Sequence, residues 1–490
     1  MSQDPMTLQL IPVPQGHIMI IASTLVVVLW VWILRIQATI KIPGPWQLKL
    51  TGIFVKYHEL FGHKRRWIHN LHLRYGPVVQ IASNEVFFAS YTAAKQIYST
   101  GNKDFRKTEL YSLFEQDGHI NLFTALDHNS HSTIRRHLAD RYSNSSVLRP
   151  QITEMIDERA KTFAAVCAAS DTADIYFYLH AYALDCVTGM LFHPHRTDSL
   201  VDPGDEQMVQ LLSYSNTREV IFWTHYLPLL APLWAALFPK FPDLERGSSM
   251  VRRFVQNSLE AGDHSDFTVA KKLLDSSHVS KPLAEAECLD HIGAGIETTG
   301  DTLCWLMWEL SQPKHQNKAE RLHHELAEAG IEGSLEGPPY LNAVIQEGLR
   351  LFAPGTLPLP RYAPKEGAFV DGYFIPENTI VECNSYSMHR LDETTFPNAT
   401  EFIPERWLDP ESHTDRQRLF FAFGLGPRTC IGRHLAVAEM RACLNAVYSK
   451  YRTRPAPDMR SSMEMDDQVL TSRPRDLCCK IQFVPWGPGA

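Results

Sequence analysis

The chain has 490 residues, with 47 basic and 55 acidic side chains and a formal net charge of −8, which argues against nucleic acid as a general partner. Hydrophobic residues make up 44% and charged residues 21%, the composition of a folded globule with a sizeable core. The nine cysteines are odd in number, contain no CxxC pair and include the adjacent Cys478 and Cys479, so they form no disulfide framework and suit a reducing compartment.

Residues 18–34 (IMIIASTLVVVLWVWIL) carry no charge and are about long enough to cross a bilayer. No Lys or Arg precedes Arg35, whereas Lys41, Lys49 and Lys56 follow it. The positive-inside rule then predicts a short lumenal tail at 1–17, a transmembrane anchor at 18–35 and a cytosolic body. A cleaved signal peptide fits less well, because no basic n-region or small-residue cleavage site is visible. Residues 36–50 contain Ile42-Pro43-Gly44-Pro45, a stiff elbow that cannot continue a helix. No linker, charge block or repeat divides residues 51–490, which are expected to form one domain.

Along that body, Lys64 to Tyr75 reads as a helix closed by Gly76-Pro77, with apolar Trp67, Ile68, Leu71 and Leu73. Val78–Ile81 and Val86–Ala89, around Ser83-Asn84, read as a β-hairpin. Helical spacing marks Ile152–Ala165 and Tyr176–Phe192. Tyr226–Pro239 is apolar but too short and proline-rich to span a bilayer; it reads equally as buried core or as a surface dipping into lipid. A long helix is expected from about Leu283 to Gln312, opened locally at Ala294–Thr299, where glycines and hydroxyls weaken the ladder. Strands are expected at Ala368–Val370 and Thr379–Val381, on either side of Asp371-Gly372, and at Cys479–Val484. The fold class is mainly α with small β-sheets.

The segment Phe423-Gly-Leu-Gly-Pro-Arg-Thr-Cys430-Ile-Gly432 places one cysteine after a Gly/Pro-rich loop and before a helical run, Arg433–Lys450. Backbone N–H groups and the helix dipole there favour a thiolate, the form that binds metal. Such a thiolate in an apolar cradle is a strong axial ligand for haem iron. Gly426 and Gly432 would let backbone approach a flat macrocycle. Glu347 and Arg350 stand at i and i+3, on one helix face. Pro404-Glu405-Arg406-Trp407 follows, and His131 and Arg135 lie one helical turn apart.

The cysteine segment resembles, at every fixed position, the haem-binding signature Phe-x-x-Gly-x-Arg-x-Cys-x-Gly of the cytochrome P-450 family. Ala294-Gly-Ile-Glu297-Thr298 resembles its oxygen-binding helix, with Glu where Asp is the commoner choice. Glu347-Gly-Leu-Arg350 and Pro404-Glu-Arg406-Trp resemble its charge triad, and the motifs occur in the family's order. The resemblance implies a triangular haem-thiolate monooxygenase fold with haem b between the 283–312 helix and the cysteine loop. Cys430 would be the axial iron ligand, and His131, Arg135, Arg361 and Arg428 the propionate clamps. Glu297 and Thr298 would be the catalytic acid–alcohol pair, while Glu347, Arg350 and Arg406 would brace the cysteine loop.

It further implies insertion of one dioxygen atom into a lipophilic small molecule. Electrons would come from NADPH through an external, membrane-bound flavoprotein reductase, received near Arg135, Arg136, Arg433 and Arg441. The expected location is the endoplasmic reticulum membrane, single-pass, with the catalytic domain cytosolic. Substrate contacts would come from Leu110–Phe123, the region near Trp223, Ala353–Leu359 and Val469–Thr471. The Arg141–Ser145 segment and the Glu-Thr-Thr form of the oxygen helix look like fungal members that tailor terpenoids, alkaloids or polyketides. Two other classes stay open here: a thiolate-haem isomerase or dehydratase, and a non-enzymatic haem sensor or electron carrier. The acid–alcohol pair counts against the first, and the lack of a distal ligand in 294–299 against the second.

Overall fold

The computed structural model describes residues 41–99, 105–215, 217–237, 243–329, 337–355 and 359–487, and six positions between 19 and 30. Most of the expected anchor therefore lies outside the described residues. Of the six positions, Met19, Val26, Val27 and Trp30 are helical, apolar and exposed.

The helices that frame the site are α1 (Ile53–Leu60), α2 (Lys64–Tyr75), α3 (Tyr91–Tyr98), α4 (His128–Leu138), α5 (Pro150–Ala168), α6 (Ile175–Phe192), α7 (Ala231–Leu237), α8 (Lys281–Ser311), α9 (Pro339–Phe352) and α10 (Arg433–Tyr448). Local chemistry sets several starts. Ser280 caps α8 by accepting from the Leu283 N–H, and Pro282 occupies the first turn, where a missing donor costs nothing. Asp127 caps α4 by accepting from the Ser130 N–H. The Glu325 carboxylate accepts from the Tyr340 and Leu341 N–H groups at the start of α9.

α6 is apolar enough to cross a membrane but almost wholly buried, so it is a core helix. It packs along α8, and α10 packs on α5 and α9. Gly295 of α8 belongs to this packing: a Cβ there would stand 2.7 Å from Val187 Cγ2 of α6. α8 is helical throughout, so the expected opening at 294–299 does not occur. Gly295 is explained by close helix contact, and Thr298 stays within the helix by donating to the Ala294 carbonyl at 2.7 Å.

The main sheet has five strands in the order β1 (Val78–Ala82), β2 (Glu85–Phe88), β8 (Ile380–Cys383), β5 (Arg361–Tyr362) and β3 (Arg106–Lys107). β1 and β2 form the expected hairpin, and β2 pairs in parallel with β8, Val86 facing Val381. The strand at 368–370 does not share its hairpin with 379–381. This strand, β6 (Ala368–Val370), pairs across Asp371-Gly372 with β7 (Tyr373–Ile375), whose three residues are too few to show alternation. Toward the C-terminus, β9 (Tyr451–Pro455) and β12 (Lys480–Pro485) share a sheet with β4 (Ala173–Asp174), and β11 (Ser472–Pro474) pairs with β10 (Met465–Asp467).

Within 226–237, Trp234 is buried against Trp223, yet Leu229, Leu233 and Leu237 are 93%, 61% and 65% exposed. The core reading of that segment therefore fails for most of its apolar side chains. Tyr226 Oη donates to Glu59, and the Lys56 ammonium lies 3.5 Å from the Tyr226 ring centroid, which ties the segment to α1. α1 itself exposes Ile53, Phe54 and Tyr57, and Trp46 and Phe61 are exposed beside it in the chain.

Candidate active site

The cysteine loop is held by its own backbone. The Phe423 carbonyl accepts from the Cys430 N–H at 2.9 Å and from Thr429 Oγ1 at 3.1 Å, folding the loop back on itself. Gly426 adopts φ +75°, and a Cβ there would collide with the Tyr98 carbonyl oxygen at the end of α3. Glycine there allows a close backbone contact with α3. Gly432 has an ordinary φ and caps α10; a Cβ there would lie 4.0 Å from Cys430 Sγ.

The Cys430 sulfur accepts from the N–H groups of Gly432 and Arg433, as the position before α10 requires, and Arg135 and Arg433 add positive charge. Burial nevertheless outweighs them and pushes the thiol above its ordinary value. The expected thiolate preference therefore needs a cation at the sulfur, and coordination to a metal ion supplies one.

Cys430 is surrounded by protein yet solvent-accessible, the combination expected of a cleft wall. Ala294 is exposed in the middle of the core helix α8, and a Cβ on Gly293 would meet nothing within 4 Å. Around the same region lie four of the five expected haem residues with one unforeseen neighbour, Lys107. His131 is 3% exposed, and burial, then Arg428, Lys107 and Arg135, hold it at about 3, so the ring is neutral. Burial also lowers Arg428 to about 10, with Arg361 the next cause, and pushes Lys107 well below its ordinary value, reinforced by Arg361 and Arg428.

These cations are satisfied by neutral oxygens. Arg428 donates to the carbonyls of Ala125, Leu126 and Asp127; Arg361 to Tyr111 Oη and the Pro360 carbonyl; Arg135 to the Thr429 carbonyl. Lys107 donates to the Phe123 carbonyl and lies 4.0 Å from the Tyr111 ring centroid. Among the described residues none of the four has a carboxylate within 4.0 Å. Asp290 and Asp127 act on Lys107 and Arg428 only at longer range, and a partly buried group of cations with no carboxylate in contact fits a ligand bringing two of its own. Together with an accessible sulfur and an exposed turn of α8, it fits haem.

On the α8 side, Glu297 and Thr298 are half-buried and adjacent to the Ala294 turn. Burial raises the Glu297 carboxyl to about 7, and the nearby Asp301 adds to the rise. The next residue, Thr299, donates to Glu439 of α10 at 2.9 Å; Glu439 is buried and raised to about 8. That link ties α8 to the helix that follows the cysteine.

The triad forms as expected. Glu347 and Arg350 are 0% exposed; Arg350 donates to both carboxylate oxygens, and Arg406 Nε to one of them at 3.1 Å. Arg350 also donates to the carbonyls of His389, Ala399 and Glu401. Sequence reasoning missed His389, which completes the path to the cysteine loop. Its Nδ1–H donates to the Arg350 carbonyl at 2.9 Å, and its Nε2 accepts from the Phe421 N–H at 2.8 Å. Burial holds the ring at about 3, so it stays neutral and keeps both roles. His389→Leu would strand the Phe421 N–H, and we expect a loss of about 1–3 kcal/mol in denaturant unfolding with faster haem loss.

The sulfur, the cationic group and the exposed α8 turn come from separate parts of the chain; Arg135 joins the cations to the cysteine loop through the Thr429 carbonyl, and Thr299 joins α8 to α10 through Glu439. A model of the cytochrome P450 family matches residues 42–479. The chain belongs to the cytochrome P450 family. As a P450 it is a haem-thiolate monooxygenase acting on a small molecule with dioxygen. It is 27% identical to the cytochrome P450 monooxygenase cypX of Dothistroma septosporum, over 90% of each chain. It is 28% identical to the monooxygenase stcB of Emericella nidulans, over 90% of this chain and 88% of that one. To hepC of Aspergillus oryzae it is 27% identical, over 82% and 85% of the two chains.

Proposed function

We propose that this P450 oxidises a lipophilic fungal secondary metabolite by hydroxylation, epoxidation or a multi-step sequence, with Cys430 as the axial ligand. The residue assignment rests on the accessible Cys430 sulfur at the start of α10, joined through the Thr429 carbonyl to cations with no carboxylate in contact, and on the exposed Ala294 turn of α8. Bound haem b supplies dioxygen activation and electron acceptance. His131, Arg135, Arg361 and Arg428 would hold its propionates, with Lys107 as a further donor beside them.

The remaining chemistry belongs to the chain. Glu297, with a carboxyl near 7, is close to half-protonated at neutral pH and can both give and take a proton. Thr298 Oγ1 donates to the Ala294 carbonyl, which leaves its lone pairs free to accept from a water in the cleft. Rotation of that hydroxyl then passes a proton onward. Thr298→Ala and Glu297→Gln should each divert electrons from product to peroxide, measured as product formed per NADPH consumed. The alkaline decline of coupling above about pH 7 should vanish in Glu297→Gln, because the group that loses its proton is gone. Unchanged coupling in both variants would remove the pair from the mechanism.

Electrons reach the enzyme from NADPH through a separate membrane-bound reductase. The surface behind the cysteine loop has a small pocket lined by Phe423, Arg433, His434, Val437 and Arg441, with exposed Arg433 and Arg136 offering charge to an acidic partner. The enzyme is anchored in the endoplasmic reticulum membrane by residues 18–35, with the catalytic body at 51–490 on the cytosolic side. Support comes from the exposed apolar face of α1 and residues 227–237, and from the family match beginning at residue 42, after the apolar stretch. Membranes carrying the protein and a reductase, supplied with NADPH and candidate terpenoids, alkaloids or polyketides, should yield a product one oxygen atom heavier. Labelled dioxygen should place its label there; label from water, or rearrangement without NADPH, would favour the isomerase class.

A further inference from the structure

One helical turn beyond Glu297, on the same side of α8, stands Asp301. Facing it from α6 is His180, with Nε2 at 3.4 Å from Asp301 Oδ1; the His180 and Asp301 side chains are 0% and 3% exposed. Gly300 makes room for the ring, since a Cβ there would lie 2.8 Å from His180 Cδ2. The other ring nitrogen fixes the tautomer: Nδ1 is 2.7 Å from the Tyr176 carbonyl, which only accepts, so Nδ1 carries a hydrogen. A neutral imidazole would then turn the bare lone pair of Nε2 toward a carboxylate oxygen. Neither Nε2 nor Oδ1 has a hydrogen-bond partner among the described residues. Two buried acceptors facing each other are unfavourable unless one proton lies between them.

We propose that His180 and Asp301 share one buried proton and act as a positioning dyad that sets when Glu297 gives up its own. The charged and titratable groups around the dyad are Glu297 and Cys304 from α8, Tyr176 from α6 and Arg473 from β11. Tyr176 Oη donates to the Ser213 carbonyl, and Arg473 donates to the carbonyls of Ser213 and Ser215, so both are committed elsewhere. Asp301 strengthens the hold of Glu297 on its proton, while Arg473 and His180 weaken it. The imidazole thus offsets a carboxylate that would otherwise keep Glu297 protonated.

The inference rests on Glu297 as the proton-carrying acid of the cleft, but its test needs no turnover. In the resting, haem-loaded enzyme, infrared difference spectra in H₂O and D₂O follow the protonated-carboxyl band that Glu297→Gln removes. Asp301→Asn keeps the shape and a donor toward Nε2 but deletes the anion; Glu297 should then lose its proton about one pH unit lower, roughly a tenfold change in the equilibrium. His180→Gln leaves Asp301 without its offset, and the midpoint should move up. Opposite shifts are the expected result, because a purely structural role would lower stability without moving the two midpoints apart. Shifts in the same direction, or none, overturn the proposal. Should His180→Gln fail to fold, an unchanged midpoint in Asp301→Asn overturns it alone. A fully coupled Glu297→Gln enzyme would instead refute the role of Glu297 in turnover, and the dyad's effect on its titration would remain readable.

Discussion

Cys430→Ala should fold and yet lose all turnover, together with the carbon monoxide difference band of a thiolate-bound haem. The backbone bonds that shape the loop, Cys430 N–H to Phe423 O and Thr429 N–H to Gly426 O, do not use the side chain. The sulfur accepts from Gly432 and Arg433 but donates nothing the fold depends on, so alanine leaves two donors facing an accessible cleft rather than a sealed core. Far-ultraviolet circular dichroism should therefore match the wild type. No other thiol can take the sulfur's place: Cys167, Cys186, Cys288, Cys304, Cys383, Cys443 and Cys479 are buried, and Cys478 lies half-buried beside the C-terminal sheet. Cys443→Ala is the matched control, since burial pushes that thiol up and keeps it inert. It should retain the thiolate band at a modest cost in stability. A thiolate band persisting in Cys430→Ala would move the ligand elsewhere and dissolve the proposed site.

What was legible in the sequence was mostly local. The α2 boundaries follow from apolar spacing and the Gly76-Pro77 stop, and Glu347 with Arg350 could be placed together because three residues of helix bring them onto one face. Glycines were read less well, because their reason lies across space. Gly426 answers to the Tyr98 carbonyl, 328 positions earlier, and Gly295 to Val187, so neither motif says which neighbour excludes a side chain. Lys107 and His389 gave no signal for the same reason. Lys107 joins the cationic group only when β3 pairs with β5 beside Arg361, and His389 matters only where the chain returns to Phe421. The thiol shows the limit of reading charge from local pattern: the helix start and Arg135 do favour the anion, but burial, which no single sequence states, outweighs them.

Arg350→Ala should be the most destabilising single change, at about 3–5 kcal/mol, because it takes two of the donors and one of the two cations from the buried Glu347 carboxylate. The Glu347 carboxylate takes five donors: Arg350 Nε and Nη2, Arg406 Nε, Trp407 Nε1 and the Ile403 N–H. Burial alone would raise its pKa, but the Arg350 hydrogen bond and charge, then Arg406, hold it below the ordinary value. A carboxyl depressed on folding contributes stability that is present above its unfolded value and lost as pH falls through the folded one. The wild-type enzyme should thus lose haem in acid, below the ordinary carboxylate range, and Glu347→Gln should flatten that part of the profile while lowering stability at neutral pH. Arg350→Ala also removes the donor to the His389, Ala399 and Glu401 carbonyls, loosening the segment that His389 ties to Phe421 and the cysteine loop. The expected phenotype is protein made without haem rather than a haem enzyme that turns over slowly. Replacing both Glu347 and Arg350 by leucine should cost clearly less than the two single losses added together, because only Arg406 is then left without its carboxylate. Additive losses in that cycle would mean the two side chains act independently, and the bracing of Cys430 would have to come from elsewhere.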